Sequence, residues 1–364
     1  MKKIIFVIGN LSSGGAERVL SIVASGLSKR GYDVSIISKQ HFRPFYKLND
    51  GVNVLYPNRE ISYNATGFKK IFSRLLVLLD VFKILKLEKP DIVIPFSTTT
   101  NGSIIIIAKL LNIKLIASEH TNYKVDLQNL HIWFIKRIIY KMSDFLLVLT
   151  QRDIDEYYGD FIKNIVVMPN PLSMIPINHN NEHQREKIIL AIGNVSRWYV
   201  KGFDNLLLIF ANIKNRIPEY KLVIVGGGDS TYLKQICLEL NIKNKVEFIG
   251  EVSDIAYYMQ NASVFTLTSR WEGLPMALIE SMSQGLPCLA YNCFSGPADI
   301  ITNGKDGVLV EDQNNEKFGQ ELISLVKNKN RQANLSKEAI QSVKKYEINS
   351  ILDKWEKIIK QVLN

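Results

Sequence analysis

The segment from Ser263 to Tyr291 has the sequence SVFTLTSRWEGLPMALIESMSQGLPCLAY and combines two periodicities. An apolar run, SVFTLTS, leads into a loop with glycine and proline. MALIESMS then follows with helical spacing, before a second apolar run, LPCLAY. Pro275 suits the start of the helix, because the first helical residue needs no N–H donor. A strand, a helix and a second strand in this order are typical of parallel sheets. The segment therefore predicts an α/β fold.

The same alternation of short apolar strands and amphipathic helices runs along the whole chain. The other predicted strands are KIIFVIG, DVSIISK, VNVLYP, DIVIPFS, KLIASEH, DFLLVLT, NIVVMPN, KIILAIG, KLVIVGGG, KVEFIG and GVLVE. A polar segment after Pro176, INHNNEHQREK, is the predicted linker. We therefore predict two Rossmann-like domains, residues 1–172 with a C-terminal helix at 347–364, and residues 173–346. Two such sheets facing each other would place their strand ends around one ligand cleft.

Positive charge is concentrated in the first half of the chain. Residues 1–170 carry 23 Lys and Arg against 14 Asp and Glu, whereas the rest is nearly balanced. This excess predicts an anionic partner, such as an anionic membrane surface, a phosphate-bearing ligand or nucleic acid. No nucleic-acid-binding motif is visible, so nucleic acid is the least expected of these. Solubility alone would also explain the charge.

The chain shows no sign of export or of a membrane span. Its first residues lead directly into an apolar strand without a signal-peptide pattern, and the apolar runs are too short to cross a bilayer. The cysteines Cys237, Cys288 and Cys293 are odd in number and lack zinc spacing. We therefore expect reduced structural thiols and a cytoplasmic protein, peripheral on the inner face of the cell membrane.

Two motifs of the first half follow predicted strands. Gly14 and Gly15 stand where the first strand turns into a helix, whose N–H groups can bind an anion. The alternative is an ordinary strand-to-helix turn. His120 ends the fifth strand beside Glu119, and side chains at strand ends in such sheets often contact ligands. A structural role is the alternative for this histidine.

Two motifs of the second half carry charge. The loop AIGNVSRWYVKGF contains Asn194, Arg197 and Lys201, and two cations on such a loop suit a diphosphate, although a solvated loop would look similar. In EGLPMALIE, the carboxylates of Glu272 and Glu280 can each accept hydrogen bonds from adjacent sugar hydroxyls. The N–H groups that follow Glu272 lie at the positive end of the helix. They belong to Gly273, Leu274 and Met276.

These segments together resemble the family 4 retaining glycosyltransferases of the GT-B fold, which has two Rossmann-like domains. The motifs GGAER, SEH, VKGFD, IVGGGD, VEFIGE, EGLPMALIES and SGPADII occur in the family's order and spacing, and they cover nearly the whole chain. The resemblance implies that the second half binds a nucleotide-sugar donor and the first half the acceptor. It also implies that the C-terminal helix returns to the N-terminal domain.

The resemblance further implies roles for individual residues. Gly15 would contact the donor phosphates, His120 the donor sugar near the reacting centre, and Lys201 the diphosphate. Glu272 would face the donor sugar and Glu280 the ribose. The backbone of the segment with Phe248 and Ile249 would contact the base. Because retention without an evident protein nucleophile is implied, Glu272 is interpreted as an orienting and stabilising group.

The chain departs from the family pattern at one position. The family commonly has Gly-Arg-Leu after the first strand of the second half, whereas this chain has Gly193-Asn194-Val195, so either Asn194 or Arg197 takes the arginine's place. No metal and no cofactor are expected. The one Asp-x-Asp sequence, Asp153-Ile154-Asp155, is predicted to lie on a surface helix.

Within the family, the chain most resembles enzymes that extend lipid-diphosphate-linked glycans in bacterial glycoprotein, O-antigen or capsule assembly. The predicted reaction moves a hexose or N-acetylhexosamine from a nucleotide diphosphate sugar, with UDP favoured, to a polyprenyl-diphosphate-linked acceptor. The alternatives are a nucleotide-sugar 2-epimerase of similar fold, a nicotinamide-dependent dehydrogenase suggested by VGGGD, and a non-enzymatic basic binding module.

A long helix is predicted in GFKKIFSRLLVLLDVFKILKLEKP, ending before Pro90. Its cations Lys69, Lys70 and Arg74 fall broadly on one side, and LLVLL is too continuous for the core face alone. A surface that is both basic and apolar suits an anionic membrane or the diphosphate of a lipid-linked acceptor. A second basic stretch, HIWFIKRIIYK, is expected to assist. The alternative is a helix packed inside its domain.

Overall fold

The computed structural model describes residues 1–60, 66–124, 127–177 and 185–364. The side chains of Phe68 and Lys70 are outside this description, so the prediction for Lys70 lies outside it too. The predicted linker falls largely on residues 178–184, which are also outside it. The described chain divides into two compact units, one formed by Met1–Pro171 with Ile348–Asn364, the other by Leu172–Glu347.

The first unit contains a seven-stranded, fully parallel sheet in the order β3-β2-β1-β4-β5-β6-β7. The apolar runs form its strands because both faces of a parallel sheet are covered by helices. The strands are β1 Lys3–Ile8, β2 Asp33–Ser38, β3 Val52–Leu55, β4 Ile92–Pro95, β5 Lys114–Ser118, β6 Phe145–Val148 and β7 Ile165–Val167. The helices between them are α1 Gly15–Lys29, α2 Gly67–Glu88, α3 Thr98–Leu110, α4 Leu130–Arg137 and α5 Gln151–Asp153.

The second unit contains a six-stranded parallel sheet in the order β10-β9-β8-β11-β12-β13. Its strands are β8 Ile188–Ile192, β9 Lys221–Val225, β10 Val246–Gly250, β11 Val264–Leu267, β12 Cys288–Asn292 and β13 Val308–Glu311. Its helices are α6 Trp198–Lys201, α7 Phe203–Ile213, α8 Thr231–Glu239, α9 Ile255–Asn261, α10 Met276–Ser283, α11 Pro297–Ile300, α12 Asn315–Lys327 and α13 Lys329–Ser342. Each apolar run named above is a strand, so the α/β prediction is confirmed.

The last helix, α14 Ile348–Leu363, belongs to the first unit and packs against α1. Its Trp355 is buried in the core of that unit, with ring centroids 6.3 Å from Phe6 and 6.2 Å from Phe96. Arg30 in turn donates to Asp353 and Glu356 of the helix, at 2.6 and 2.9 Å. The prediction that the C-terminal helix returns to the N-terminal half is therefore confirmed.

Candidate functional site

In the second unit, the predicted residues Lys201 and Glu272 form an ion pair. Lys201 follows β8 and Glu272 follows the neighbouring strand β11, and the Nζ of the lysine lies 2.8 Å from Oε1 of the glutamate. The same Oε1 accepts a hydrogen bond of 2.6 Å from Ser269 Oγ. Parallel strands end at one edge of a sheet, and this explains how residues 71 positions apart meet. One carboxylate oxygen of Glu272 is thus fixed by two donors.

The loop that carries Lys201 is seated closely on the end of β11. Gly202 adopts a positive φ of 64°, and a Cβ atom at this position would collide with the carbonyl oxygen of Thr268. Thr268 Oγ1 donates to the carbonyl of Gly202 at 2.9 Å. Only glycine allows both the left-handed conformation and this close approach. The Lys-Gly pair of the sequence motif therefore has a structural cause at Gly202.

Arg270 contacts the same loop. Its guanidinium donates to both carboxylate oxygens of Asp204, at 2.8 and 2.7 Å, and to the carbonyl of Tyr199 at 2.5 Å. It also lies 4.1 Å from the centroid of the Tyr199 ring, and the backbone N–H of Arg270 donates to Val200. These contacts fix residues that come before and after Lys201 in the sequence. No sequence motif indicated the contact between Arg270 and Asp204.

Gly273 and Leu274 lie just before α10, and Leu274 is buried. Pro275, at the N-cap position, has no side-chain hydrogen-bonding group that could cap this helix. Gly296 approaches the carbonyl of Gly273 so closely that a Cβ atom would clash with it. Glu280 lies in the second turn, is only 5% exposed, and accepts a 2.8 Å hydrogen bond from Ser173 Oγ. Close packing of the Gly296 backbone on Gly273 thus shapes the start of α10.

The other predicted donor residues of this unit lie on neighbouring loops. Asn194 caps a short 3-10 turn through its contact with the Ser196 N–H at 2.9 Å, and Arg197 is exposed. Phe248 and Ile249 are partly buried at the end of the edge strand β10. The structure leaves the choice between Asn194 and Arg197 open.

The glycine-rich loop VGGGD after β9 packs against the loop after β8. Cβ atoms on Gly226 and Gly228 would collide with the backbone of Gly193 and with Asn194 and Ser196. The N–H of Val195 also donates to Gly227 at 2.9 Å. Close packing of two loops therefore accounts for glycines that, in sequence, suggested a dinucleotide site.

In the first unit, His120 lies at the end of β5 in an aromatic setting. Its ring stacks on Phe96 with a centroid distance of 4.5 Å, and its Nε2 lies 2.9 Å from Ser118 Oγ. Phe96 in turn stacks on Trp355 of α14. Burial lowers the pKa of His120 to about 4, more than the Glu119 carboxylate and Asn170 raise it. The ring is therefore neutral at physiological pH.

Glu119, beside His120, is a buried carboxylate held by hydrogen bonds. Its Oε2 accepts from Thr98 Oγ1 at 2.6 Å and from the Tyr140 hydroxyl at 2.5 Å. Its Oε1 accepts from the Thr121 hydroxyl at 2.7 Å and from the N–H groups of His120 and Thr121, each at 2.9 Å. A buried charge is tolerated only with such partners. Glu119 thereby fixes the backbone that carries His120.

Gly14 and Gly15 lie at the start of α1, as predicted. The backbone of Gly14 is extended, with φ of −160°, and a Cβ atom there would collide with the carboxylate of Glu17. Nothing lies near the corresponding position of Gly15. The Glu17 carboxylate therefore occupies the space where a Gly14 side chain would lie, whereas the corresponding space at Gly15 has room for a ligand.

Helix α2 presents an unusual outer surface. Val77, Asp80, Val81 and Leu85 are buried, whereas Ile71, Phe72, Leu75 and Leu79 are all more than half exposed. The predicted cations Lys69 and Arg74 are exposed among these apolar side chains. The alternative of a helix packed inside its domain therefore does not fit its N-terminal half.

Lys39, at the end of β2, was not anticipated from sequence. Burial, together with the charge of Arg74, lowers the pKa of Lys39 to about 8. In the described part of the chain, neither cation has a carboxylate within ion-pair distance. Because the positive charge of Arg74 acts on Lys39, this pair of cations favours a bound anion.

Two expectations about charged residues are wrong. Lys136, from the second basic stretch, is fully buried and donates to the carbonyls of Asn122 and Tyr123, each at 3.1 Å, because it lies on the inner face of α4. Asp153, predicted on the surface, is buried and accepts from Thr150 Oγ1 at 2.7 Å. Burial raises the pKa of Asp153 to about 6. Asp155 is exposed, so the two acids do not share one face.

Two further structural findings bear on the predictions. Within the described ranges, His, Cys, Asp and Glu side chains form no group of three that could hold a metal ion. The helices found in the same ranges are each too short or too polar to cross a membrane.

The chain matches two family profiles in succession. Residues 13–174 match the family described as Glycosyltransferase Family 4, and residues 176–342 match Glycosyl transferases group 1. With the two parallel sheets and the Lys201–Glu272 pair, these matches define the class of protein. The chain belongs to the family 4 glycosyltransferases, which are retaining hexosyltransferases of the GT-B fold.

Individual relatives and a solved structure agree with this class. The chain is 34% identical, over 100% of both chains, to the Campylobacter jejuni GalNAc-α-(1→4)-GalNAc-α-(1→3)-diNAcBac-PP-undecaprenol α-1,4-N-acetyl-D-galactosaminyltransferase. It is 26% identical to the Escherichia coli UDP-Gal:α-D-GlcNAc-diphosphoundecaprenol α-1,3-galactosyltransferase, over 86% of this chain and 85% of that one. Its fold matches Anabaena HepE in complex with UDP with a TM-score of 0.80 at 14% identity, covering 99% and 100% of the two chains.

Proposed function

We propose that this glycosyltransferase moves a hexose or N-acetylhexosamine from a UDP-sugar to a polyprenyl-diphosphate-linked glycan at the inner surface of the cell membrane. The observation that carries the donor half of this proposal is the Lys201–Glu272 pair beside the start of α10. The full-length similarity to a transferase whose name specifies an undecaprenyl-diphosphate glycan supports the acceptor half.

Each donor-side residue has a physical task in this proposal. Lys201 and the N–H groups at the start of α10 stabilise the negative charge that leaves with the nucleotide. Glu272 orients the donor sugar. Since its Oε1 already accepts from Lys201 and Ser269, this oxygen is engaged by two donors, which suits an orienting role better than that of a nucleophile. Glu280 accepts the ribose hydroxyls, and Gly15 admits the phosphates close to the backbone.

The acceptor half rests on the basic surface of α2. Lys39 and Arg74 repel each other, and an acceptor diphosphate would relieve that repulsion. Exposed apolar side chains of the same helix, such as Phe72 and Leu75, suit the start of a polyprenyl chain or the bilayer around it. The proposal therefore assigns Lys69, Lys70 and Arg74 to the acceptor and its membrane.

The first experiment identifies the donor and tests Glu280. Thermal shifts are compared for UDP, GDP and their sugars, since a ligand that binds only the folded state raises the melting temperature. We expect UDP-sugars to give the largest shift and Glu280→Ala to weaken UDP binding by about 10- to 150-fold, the equivalent of 1.5–3 kcal/mol. Glu316→Ala, at an exposed position of α12, is the control. Unchanged UDP affinity in folded Glu280→Ala would remove Glu280 from the site.

The second experiment tests the reaction itself. UDP-sugars are incubated with synthetic undecaprenyl-diphosphate glycans, and the product is analysed by mass and by the configuration at the new linkage. We expect transfer with retention that survives a chelator. Epimerised donor formed without acceptor would instead support the 2-epimerase, and activity lost with chelator and restored by Mg²⁺ or Mn²⁺ would contradict metal independence.

A further inference from the structure

The two outer faces of the seven-stranded sheet differ in what they expose. Right-handed crossovers place α2, α3 and α4 on one face, because each leads rightward along the strand order, and α1 on the other. Helices α1 and α14, both fully described, expose one large apolar side chain between them, Ile348. The face with α2, α3 and α4 exposes many. They are Ile71, Phe72, Leu75, Leu79, Leu87, Ile106, Leu110, Leu130, Trp133 and Phe134.

Helix α4 is the most distinctive part of that face. Ile132, Ile135 and Lys136 are buried, so the helix has a clear inner side. Its outer side carries Trp133 and Phe134, which are 43% and 49% exposed, after Leu130 at the helix start. Ile138 and Met142, in the turns that follow, are exposed as well. An amphipathic helix whose outer side is apolar leaves those groups in water unless something covers them.

Cations follow the apolar outer side of α4 in the sequence. The helix and the 3-10 turn Ile139–Met142 contain three cations and no acid. Since Lys136 is buried, the two that remain for the surface are Arg137 and Lys141. The guanidinium of Arg137 lies 4.0 Å from the Phe161 ring centroid, and the Lys141 ammonium lies 5.6 Å from it. Arg137 also follows Phe134 by three residues and Trp133 by four, a spacing that places side chains on the same side of a helix.

We propose that α4 is a second membrane-contact element, with Trp133 and Phe134 inserted at the headgroup boundary of an anionic bilayer and Arg137 and Lys141 on the lipid phosphates. The inference deepens the proposed function, which assigns only α2 to the membrane. A bilayer fits better than a protein partner, because the apolar groups are spread over three helices and interleaved with cations. Tryptophan in addition favours the interface between water and hydrocarbon.

The test uses the full chain and vesicles of phosphatidylcholine with about a third phosphatidylglycerol, so it needs neither donor nor acceptor. The double variant Trp133→Gln with Phe134→Gln is compared with Ile348→Gln, a control of similar exposure on the opposite face of the sheet. We expect the double variant to bind these vesicles at least about tenfold more weakly, since burial of an aromatic side chain is worth about that factor. Ile348→Gln should bind like wild type.

Several outcomes separate this inference from the proposed function. UDP binding and melting temperature, measured in parallel, should stay at wild-type values in the double variant. Vesicle binding equal to wild type in the double variant, or absent in wild type, would overturn the inference even if lipid-linked acceptor is used. A smaller oligomer in the double variant than in wild type, with vesicle binding retained, would also overturn it, because the face would then be an interface between copies of the chain. If wild type binds vesicles and the double variant binds them more weakly, but wild type transfers no sugar to the lipid-linked acceptor, the result would count against the proposed function alone.

Discussion

The carboxyl edges of the two parallel sheets carry side chains of different chemistry. The edge of the six-stranded sheet holds formal charges, with Lys201 paired to Glu272 and Arg270 to Asp204. The edge of the seven-stranded sheet holds a neutral histidine stacked on Phe96.

The difference indicates a division of labour. Charge that develops on a leaving diphosphate calls for fixed cations and backbone N–H groups, and these lie in the second unit. A neutral ring held in an aromatic stack provides shape and a hydrogen-bonding edge without competing for that charge. On the proposed function, Lys201 acts on the nucleotide and His120 on the sugar, so we expect substitutions at the two residues to have separable effects.

The largest effect is expected for Lys201→Met, which removes the cation and keeps much of the side-chain volume. We expect catalytic efficiency to fall by about 10²- to 10³-fold, because a fixed positive charge at the leaving group is lost.

In His120→Ala, turnover should fall while UDP affinity is kept, and Glu272→Ala should behave similarly. Calorimetry with UDP and steady-state kinetics measure both quantities. Equal losses of UDP affinity in Lys201→Met and His120→Ala would break the proposed division.

A smaller effect is expected for Arg270→Lys, which keeps the charge but loses the fork of donors to Asp204 and Tyr199. Because this clamp places Lys201, UDP affinity should weaken by about tenfold with little change in melting temperature. Arg331→Lys is the control, since Arg331 forms a similar pair with Glu321 on exposed helices of the same unit. A large fall in stability with unchanged UDP affinity would make Arg270 purely structural.

The smallest effect concerns the pH dependence of stability. The unfolded chain binds a proton at His120 near pH 6.5, whereas the native ring binds one only near pH 4, so native stability falls as pH drops between these values. Urea unfolding at pH 7 and at about pH 5.5 should show wild type losing about 1 kcal/mol more than His120→Asn. The exposed His131→Asn is the control. Identical pH slopes for wild type and His120→Asn would show that His120 is not held neutral.

Sequence predicted the fold well because strand runs, helix periods and glycine turns are local signals. It placed Lys201 and Glu272 in one site through the family resemblance. It could not reveal the Arg270–Asp204 contact, which joins residues 66 apart and depends on how two loops fit together. Burial of Lys136 was missed because a basic run gives no indication of which cation faces inward. Lys39 was missed because its neighbour Arg74 is distant in sequence.

The return of α14 to the first unit has a consequence for protein synthesis. A ribosome completes the entire six-stranded sheet before it makes Trp355, on which Phe96 and then His120 are stacked. The core of the nascent N-terminal half therefore stays incomplete, and accessible to chaperones, while the other half folds. The aromatic stack that carries His120 is therefore completed only when the last helix of the chain has been made.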